Sequence, residues 1–264
     1  MKLQGRTVLI TGGTSGIGLE LARRLLERGN TVAVTGRDRR KLDEAKQALP
    51  ALHIFESDVT DPASIAALHG RVLAALPALD VLINNAGIMR NLDLNEPREL
   101  ADVTREVDVM LRGPIQMTQQ FLPQLSARGD ALIVNVTSGL AFIPFTISPV
   151  YSAAKAGLHA FTQCLRAQLR GRGVQVVELA PPGTETPLLR GEFEREMKGQ
   201  KAMAVTVLVD KALAGIERGK TEIRPGLANV LKVMSRVAPN LMFSQLTRMS
   251  RPKAAPKQIG SGPA

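Results

Sequence analysis

The sequence predicts an α/β fold, a doubly wound parallel sheet in a single domain. Three observations carry that prediction. Short β-branched runs alternate with longer amphipathic segments, the connections between runs are long enough for a returning helix, and a glycine-rich turn joins the first run to the first amphipathic segment. A chain of 264 residues is long enough for one such core without a second domain.

Residues 7–10 read as the first strand. Residues 17–28 follow as a helix with Leu21 and Leu25 on its apolar face, and Gly29 is placed to end it in a left-handed conformation. Further strands are expected at 31–35, 52–55, 81–83, 131–136 and 174–179. Pro114 stands inside the long segment 97–125, where it kinks a helix or restarts one. Residues 181–203 open with Pro-Pro-Gly, lack a repeating pattern and read as a loop able to order over a substrate. Near the end, Leu227, Val230, Leu231, Met234 and Val237 fall on one helical face. A helix packed on the body is the favoured reading, with a substrate cap or a membrane-surface contact as alternatives. The division that follows is a dinucleotide-binding catalytic domain over 1–225, a helical extension on the same domain over 226–250, and a flexible tail rich in Pro, Gly and Lys over 251–264.

Composition narrows the function. There is no Trp and a single Tyr, so any task needing a phenol falls on Tyr151. The lone Cys164 forms no intrachain disulfide and reads as a small buried residue on a helix. The amino terminus lacks a secretory pattern and no apolar run approaches a membrane span, so a cytoplasmic protein without a transmembrane segment is expected. The net charge of +10 favours anionic ligands, but the basic residues are spread, clustering only at 37–41 and in the tail. Without stacking aromatics this charge does not point to nucleic acid, and no metal site is expected.

Directly after the first strand comes Thr11-Gly12-Gly13-Thr14-Ser15-Gly16-Ile17-Gly18, opening a helix. Such a turn lets backbone approach a pyrophosphate, and the helix N-terminus supplies unpaired N–H groups and partial positive charge. Strand before and helix after give it the context of a dinucleotide site, hence a Rossmann-type sheet, although the spacing departs from Gly-x-Gly-x-x-Gly. Here the chain resembles the short-chain dehydrogenase/reductase family, classical type, whose turn reads Thr-Gly-x-x-x-Gly-x-Gly. Gly12, Gly16 and Gly18 match it. The resemblance runs over about residues 5–225, through Asp58-Val59, expected at the adenine ring, and Asn84-Asn85-Ala86-Gly87, expected to brace the sheet and border the cofactor. The stretch from Glu222 to Ala228 resembles that of DltE-type bacterial reductases. The expected cofactor-binding set is Gly12, Thr14, Ser15, Gly16, Ile17, Gly18, Arg37, Asp58, Val59, Asn85, Ala86, Gly87, Tyr151, Lys155, Pro181 and Gly183.

The end of the second strand bears on which cofactor binds. A carboxylate there would hold the free ribose hydroxyls of NAD and repel the extra phosphate of NADP. Gly36 stands where that acid is expected, and Arg37 beside it can contact a 2′-phosphate, so NADP(H) is favoured over NAD(H); Asp38 argues the other way.

Ser138 ends a strand, Tyr151 follows, and Lys155 lies four residues further, on the same helical face as Tyr151. A phenol titrates near 10, so proton transfer at neutral pH calls for nearby positive charge, which Lys155 is placed to supply. By resemblance, Ser138 hydrogen-bonds the substrate oxygen, Tyr151 moves its proton, and Lys155 lowers the tyrosine pKa and holds the nicotinamide ribose. Residues 140–145, Leu188 and Leu189 can line an apolar pocket or simply pack. His159 continues the Tyr151–Lys155 stripe and is expected at a surface or helix interface.

One position departs from the family. Many members carry an Asn three residues before the Gly-Pro pair, and Gly113-Pro114 places Met110 there. The family relay uses this residue's backbone carbonyl through a water, which Met retains, so weakened or retuned activity is expected. The expected function is hydride transfer between NADP(H) and a ketone or secondary alcohol, the alternative being a non-catalytic NADP(H)-binding sensor or scaffold. The resemblance also implies a homodimer or homotetramer, since the family usually pairs its long helices into four-helix interfaces and the segments 99–125 and 150–169 have apolar faces here.

Overall fold

Strand and helix alternate from the start of the chain. The computed structural model describes residues 2–191, 193 and 201–250. The order is β1 (Thr7–Thr11), α1 (Gly16–Glu27), β2 (Thr31–Gly36), α2 (Arg39–Ala48), β3 (His53–Glu56), α3 (Pro62–Ala75) and β4 (Val81–Asn84). Short helices α4 (Leu100–Val103) and α5 (Arg105–Val107) lead through a π-helical turn, Asp108–Arg112, into α6 (Gly113–Ala127). Then come β5 (Ala131–Val136), a 3₁₀ turn at Gly139–Ala141, α7 (Pro149–Gln168), β6 (Val174–Leu179), α8 (Pro187–Arg190), α9 (Val205–Glu217), β7 (Glu222–Ile223), α10 (Leu227–Val237) and α11 (Pro239–Ser250).

All seven strands pair in parallel, in the order β3-β2-β1-β4-β5-β6-β7. Alternate side chains leave opposite faces of a strand, and β1 shows how that builds two layers. Val8 and Ile10 join Leu21 and Leu25 of α1, Leu42 of α2 and Leu208 of α9 on one face, while Leu9 meets Leu68 of α3 and Phe121 of α6 on the other. The winding reverses between β1 and β4, whose carboxyl ends diverge into a crevice, the place where open α/β sheets bind ligands.

A buried amide ladder ties that crevice to α7. Asn84 Nδ2 donates to Asn135 Oδ1 (2.8 Å), Asn135 Nδ2 donates to Thr162 Oγ1 (2.9 Å), and Thr162 Oγ1 donates to Leu158 O (2.6 Å). Amides buried without partners cost free energy, so the ladder fixes how α7 sits on β4 and β5.

The six expected strands are present, displaced by a residue or so at their ends. The seventh, β7, is two residues long, too short for any alternation to register. Pro114 lies in the first turn of α6, where the π-helical turn gives way to regular helix. Part of the expected 181–203 loop is ordered, with α8 inside it and a bridge from Thr184 to Met203; the remainder, 192 and 194–200, and the expected tail, 251–264, lie outside the described residues.

Two expectations are corrected. Cys164 is exposed rather than buried, because it falls on the side of α7 turned away from the sheet. The carboxy-terminal face is also not the packed one foreseen. The helix breaks at Ala238-Pro239, and α10 seats Ala228 and Leu231 on the body while Leu227, Val230 and Val237 face outward.

Candidate active site

A cavity of about 950 Å³ opens at the carboxyl ends of β1, β2, β4 and β5. It is bounded by Gly12, Thr14, Ser15, Gly16 and Ile17 of the turn, by Arg37, Asp58 and Val59, and by Asn85, Ala86 and Gly87. Ser138, Tyr151, Lys155, Pro181 and Gly183 also line it, so of the residues expected at the site only Gly18 does not. Gly18 acts from behind. A Cβ there would stand 2.4 Å from Gly12 O and 2.5 Å from Asn85 Nδ2, so α1 abuts the turn only because that side chain is absent. Gly12 has φ +64°, and a Cβ on it would lie 2.7 Å from Ala86 Cα.

Thr11 locks β1 to the start of the β4 loop. Its Oγ1 accepts from Asn85 N (3.0 Å) and Ala86 N (3.1 Å), and Asn85 Nδ2 returns bonds to Thr11 O and Gly12 O, both 3.0 Å. Thr11→Val keeps the shape and strands two amides. We expect it to lower unfolding free energy by about 1–3 kcal/mol in urea titrations and to weaken cofactor binding, and unchanged stability would show that water replaces the hydroxyl.

These features fit a nicotinamide dinucleotide. Ser15 caps α1 without a side-chain hydrogen bond, which leaves first-turn amides for an anion. At the other end of β2, a Cβ on Gly36 would meet Thr14 Cγ2 at 3.0 Å, so the strand ends without a side chain. The basic cluster divides: Arg39 and Arg40 pair with Asp43 and Glu44 of α2, whereas Arg37 and Lys41 line the cavity. Asp38, which also lines the cavity, accepts at Oδ1 from Lys41 N (3.2 Å) as the cap of α2.

The three expected catalytic side chains converge. Ser138 follows β5 and caps the 3₁₀ turn, its Oγ accepting from Leu140 N (3.1 Å), while Gly139 N donates to Pro181 O (2.8 Å). Tyr151 and Ser138 line the cavity together, and the Ser138 side chain acts to lower the Tyr151 pKa. One turn along α7, Lys155 Nζ donates to Val136 O (2.8 Å) and lies 5.8 Å from the Tyr151 ring centroid. Burial governs both titrations. It raises Tyr151 to about 12, opposed by the Ser138 side chain and reinforced by the charge of Glu106, and it lowers Lys155 to about 7. The direction for Tyr151 is opposite to the lowering expected of Lys155, because removing a phenolate from water outweighs its neighbours.

Met110 is fully buried on the π-helical turn and lines the cavity beside Gly87. The extra residue in that turn aims the segment at the site, a common use of π-bulges. His159 lies at a helix interface, its Nδ1 2.8 Å from the buried Glu178 carboxylate and its Nε2 3.1 Å from Lys232 Nζ of α10. Leu188 and Leu189 line the cavity, with Leu140 and Phe145.

Several site residues escaped the sequence reading. Arg90 is held by Asp102 (2.7 Å) and donates its backbone N–H to the buried Glu106 (3.0 Å), while Ser148 Oγ donates to Arg90 O (2.8 Å). This cluster joins the loop after β4 to the start of α7 and puts Glu106 near Tyr151; no motif spacing announces it. Met89, Met203 and Leu246 line the cavity from distant segments.

A family model described as short chain dehydrogenase matches residues 6–197. The chain belongs to the short-chain dehydrogenase family. As a short-chain dehydrogenase it is an oxidoreductase whose fold binds nicotinamide cofactors. It is 40% identical over 247 residues to the uncharacterized oxidoreductase DltE of Bacillus subtilis, covering 93% of this chain and 98% of that protein. It is 34% identical over 208 residues to the NADP-dependent 3-hydroxy acid dehydrogenase YdfG of Escherichia coli, covering 76% and 82%. The family fold recurs in a short chain dehydrogenase from Burkholderia cenocepacia in complex with NADP, with TM-score 0.81, 26% identity and coverage of 96% of this chain and 100% of that one. A short-chain dehydrogenase from Sphingobium yanoikuyae in complex with NADPH gives TM-score 0.78, 27% identity and coverage of 96% and 99%.

Proposed function

We propose that this short-chain dehydrogenase transfers hydride between NADP(H) and a ketone or secondary alcohol, with Tyr151 as general acid and base. One observation carries the reading: the chain's only phenol, Tyr151, lines the cavity together with Ser138 and Lys155, with Lys155 one helical turn along α7. The bound nicotinamide supplies or accepts the hydride. In reduction, Tyr151 gives its phenolic proton to the substrate oxygen as the carbonyl carbon takes the hydride, and Ser138 holds that oxygen. Lys155, anchored on Val136 O, binds the ribose hydroxyls. NADP(H) is preferred because two cations, Arg37 and Lys41, line the cavity beside β2 against one carboxylate, Asp38, whose Oδ1 caps α2.

The alternative of a non-catalytic sensor rests on Met110 alone, and the intact Ser138, Tyr151 and Lys155 set favours an enzyme. Association into a dimer or tetramer belongs to the same reading. It is supported by Ala153, Ala156, Ala160, Cys164 and Ala167, an exposed stripe of small residues on α7 that lets a second copy come close.

The test is loss of NADPH absorbance with a panel of aromatic and aliphatic ketones, run with NADH in parallel. Turnover with NADPH is the expected result; tight NADPH binding with no turnover on any carbonyl would return the reading to a sensor. The pH profile gives a second expectation. Burial keeps Tyr151 protonated across the neutral range, so its proton stays available for reduction from weakly acid to weakly alkaline conditions, and a fall in reduction rate as pH rises through about 7 would report loss of the Lys155 ammonium. Oxidation of the matching alcohol needs the ionised phenol and should climb with pH over the same range. Equal profiles in the two directions would remove Tyr151 from the proton transfer.

A further inference from the structure

We propose that the α10–α11 hairpin is a docking face for an anionic lipid bilayer. The inference stands independently of the catalytic reading. α10 is seated by its inner side: Ala228 and Leu231 are buried, and Lys232 Nζ lies 4.5 Å over the Phe142 ring. Its outer side is apolar. Val230, Val233 and Val237 are 49%, 52% and 74% exposed at spacings of three and four, and Leu241 and Phe243 of α11 are 56% and 41% exposed.

Charge selects the occupant. The last 42 residues contain seven Lys and Arg and no Asp or Glu, so most of the net charge of +10 resides in this one end of the chain. Arg236 and Arg248 are exposed on the hairpin itself, beside the apolar stripe. Apolar side chains flanked by cations, with no acid among them, match the boundary of a bilayer bearing anionic headgroups. A second copy docking on the same face would bring like charges together. Nucleic acid would leave the valine stripe unused and would call for stacking aromatics, of which the hairpin has only Phe243. The face is also continuous with the cavity, since Leu227, Leu231 and Leu246 of the hairpin line it, and a docked hairpin would open the cavity toward the acyl region.

Flotation of the full-length protein with vesicles of phosphatidylcholine alone, and of phosphatidylcholine with phosphatidylglycerol, tests this. Binding to the mixed vesicles only, weakened by salt, is the expected result. Arg236→Ala with Arg248→Ala should lower the partition coefficient about tenfold or more, and Val233→Glu with Val237→Glu should abolish binding. None of these four side chains lines the cavity, so melting temperature and NADPH affinity report whether each variant is folded. A folded wild type that floats with neither vesicle overturns the proposal. So does a fall in oligomer mass, by light scattering, in the valine variant, because the face would then join copies of the chain.

Discussion

Tyr151→Phe should lower kcat for carbonyl reduction by about 10²–10⁴-fold, the usual worth of a positioned general acid, while NADPH affinity and melting temperature change little. The reasons lie in what the hydroxyl touches. The ring is buried with Ala154 and Leu165 in the layer between the sheet and α7, and Phe preserves that packing. On the protein side the hydroxyl loses only its neighbour Ser138, which lies at the cavity where water can take its place. With Tyr151 as the sole tyrosine, no second phenol can take over, so residual turnover would measure positioning and hydride transfer alone. Single-turnover experiments separate the cases. A slow step with an unchanged NADPH Kd supports the acid role, and full-speed turnover in the Phe variant would transfer the proton to another group. A parallel loss of affinity and stability would mark Tyr151 as structural.

How much of this was legible beforehand differs from element to element. The strands carrying the site announce themselves, because a buried parallel strand is a mostly apolar β-branched run, interrupted in 131–136 only by Asn135 and in 174–179 only by Gln175 and Glu178. The glycine turn and the Tyr151–Lys155 step are likewise local, each being a spacing within one element. Glu106 and Arg90 are different. They meet only because the π-helical turn rotates the start of the long helical segment against the loop after β4, and no periodicity in either segment encodes that encounter. The same limit explains Cys164 and the outer stripe of α10. Helical spacing identifies which residues share a face, but the face that meets the body is chosen by the partner surface, here the Gly139–Ala141 turn beneath Ala228 and Leu231. The upward displacement of Tyr151 belongs to this class too, because the depth of burial is a property of the assembled layer rather than of the Tyr-x-x-x-Lys spacing.

Arg37→Leu should reduce kcat/KM for NADPH by about 10- to 100-fold while leaving that for NADH nearly unchanged, the range expected from losing charge-assisted bonds to one phosphate. Within 37–41 the other two arginines are engaged along α2, at 3.1 Å from Asp43 and 3.9 Å from Glu44, so Arg37 has no equivalent substitute. Lys41 remains on the cavity and should keep some preference for NADPH, since an ammonium is a point charge that attracts the phosphate without the two-pronged guanidinium geometry. Combining Arg37→Leu with Lys41→Ala should therefore bring the two cofactors close to parity. Arg37 is exposed, so the wild-type preference should also shrink as salt is raised, and more steeply than in the variant. Steady-state kinetics with both cofactors at two ionic strengths reads all of this at once. An NADPH preference that survives the double substitution would place the 2′-phosphate contact elsewhere, with the hydroxyls of Thr14 and Ser15 on the turn as the next groups to remove.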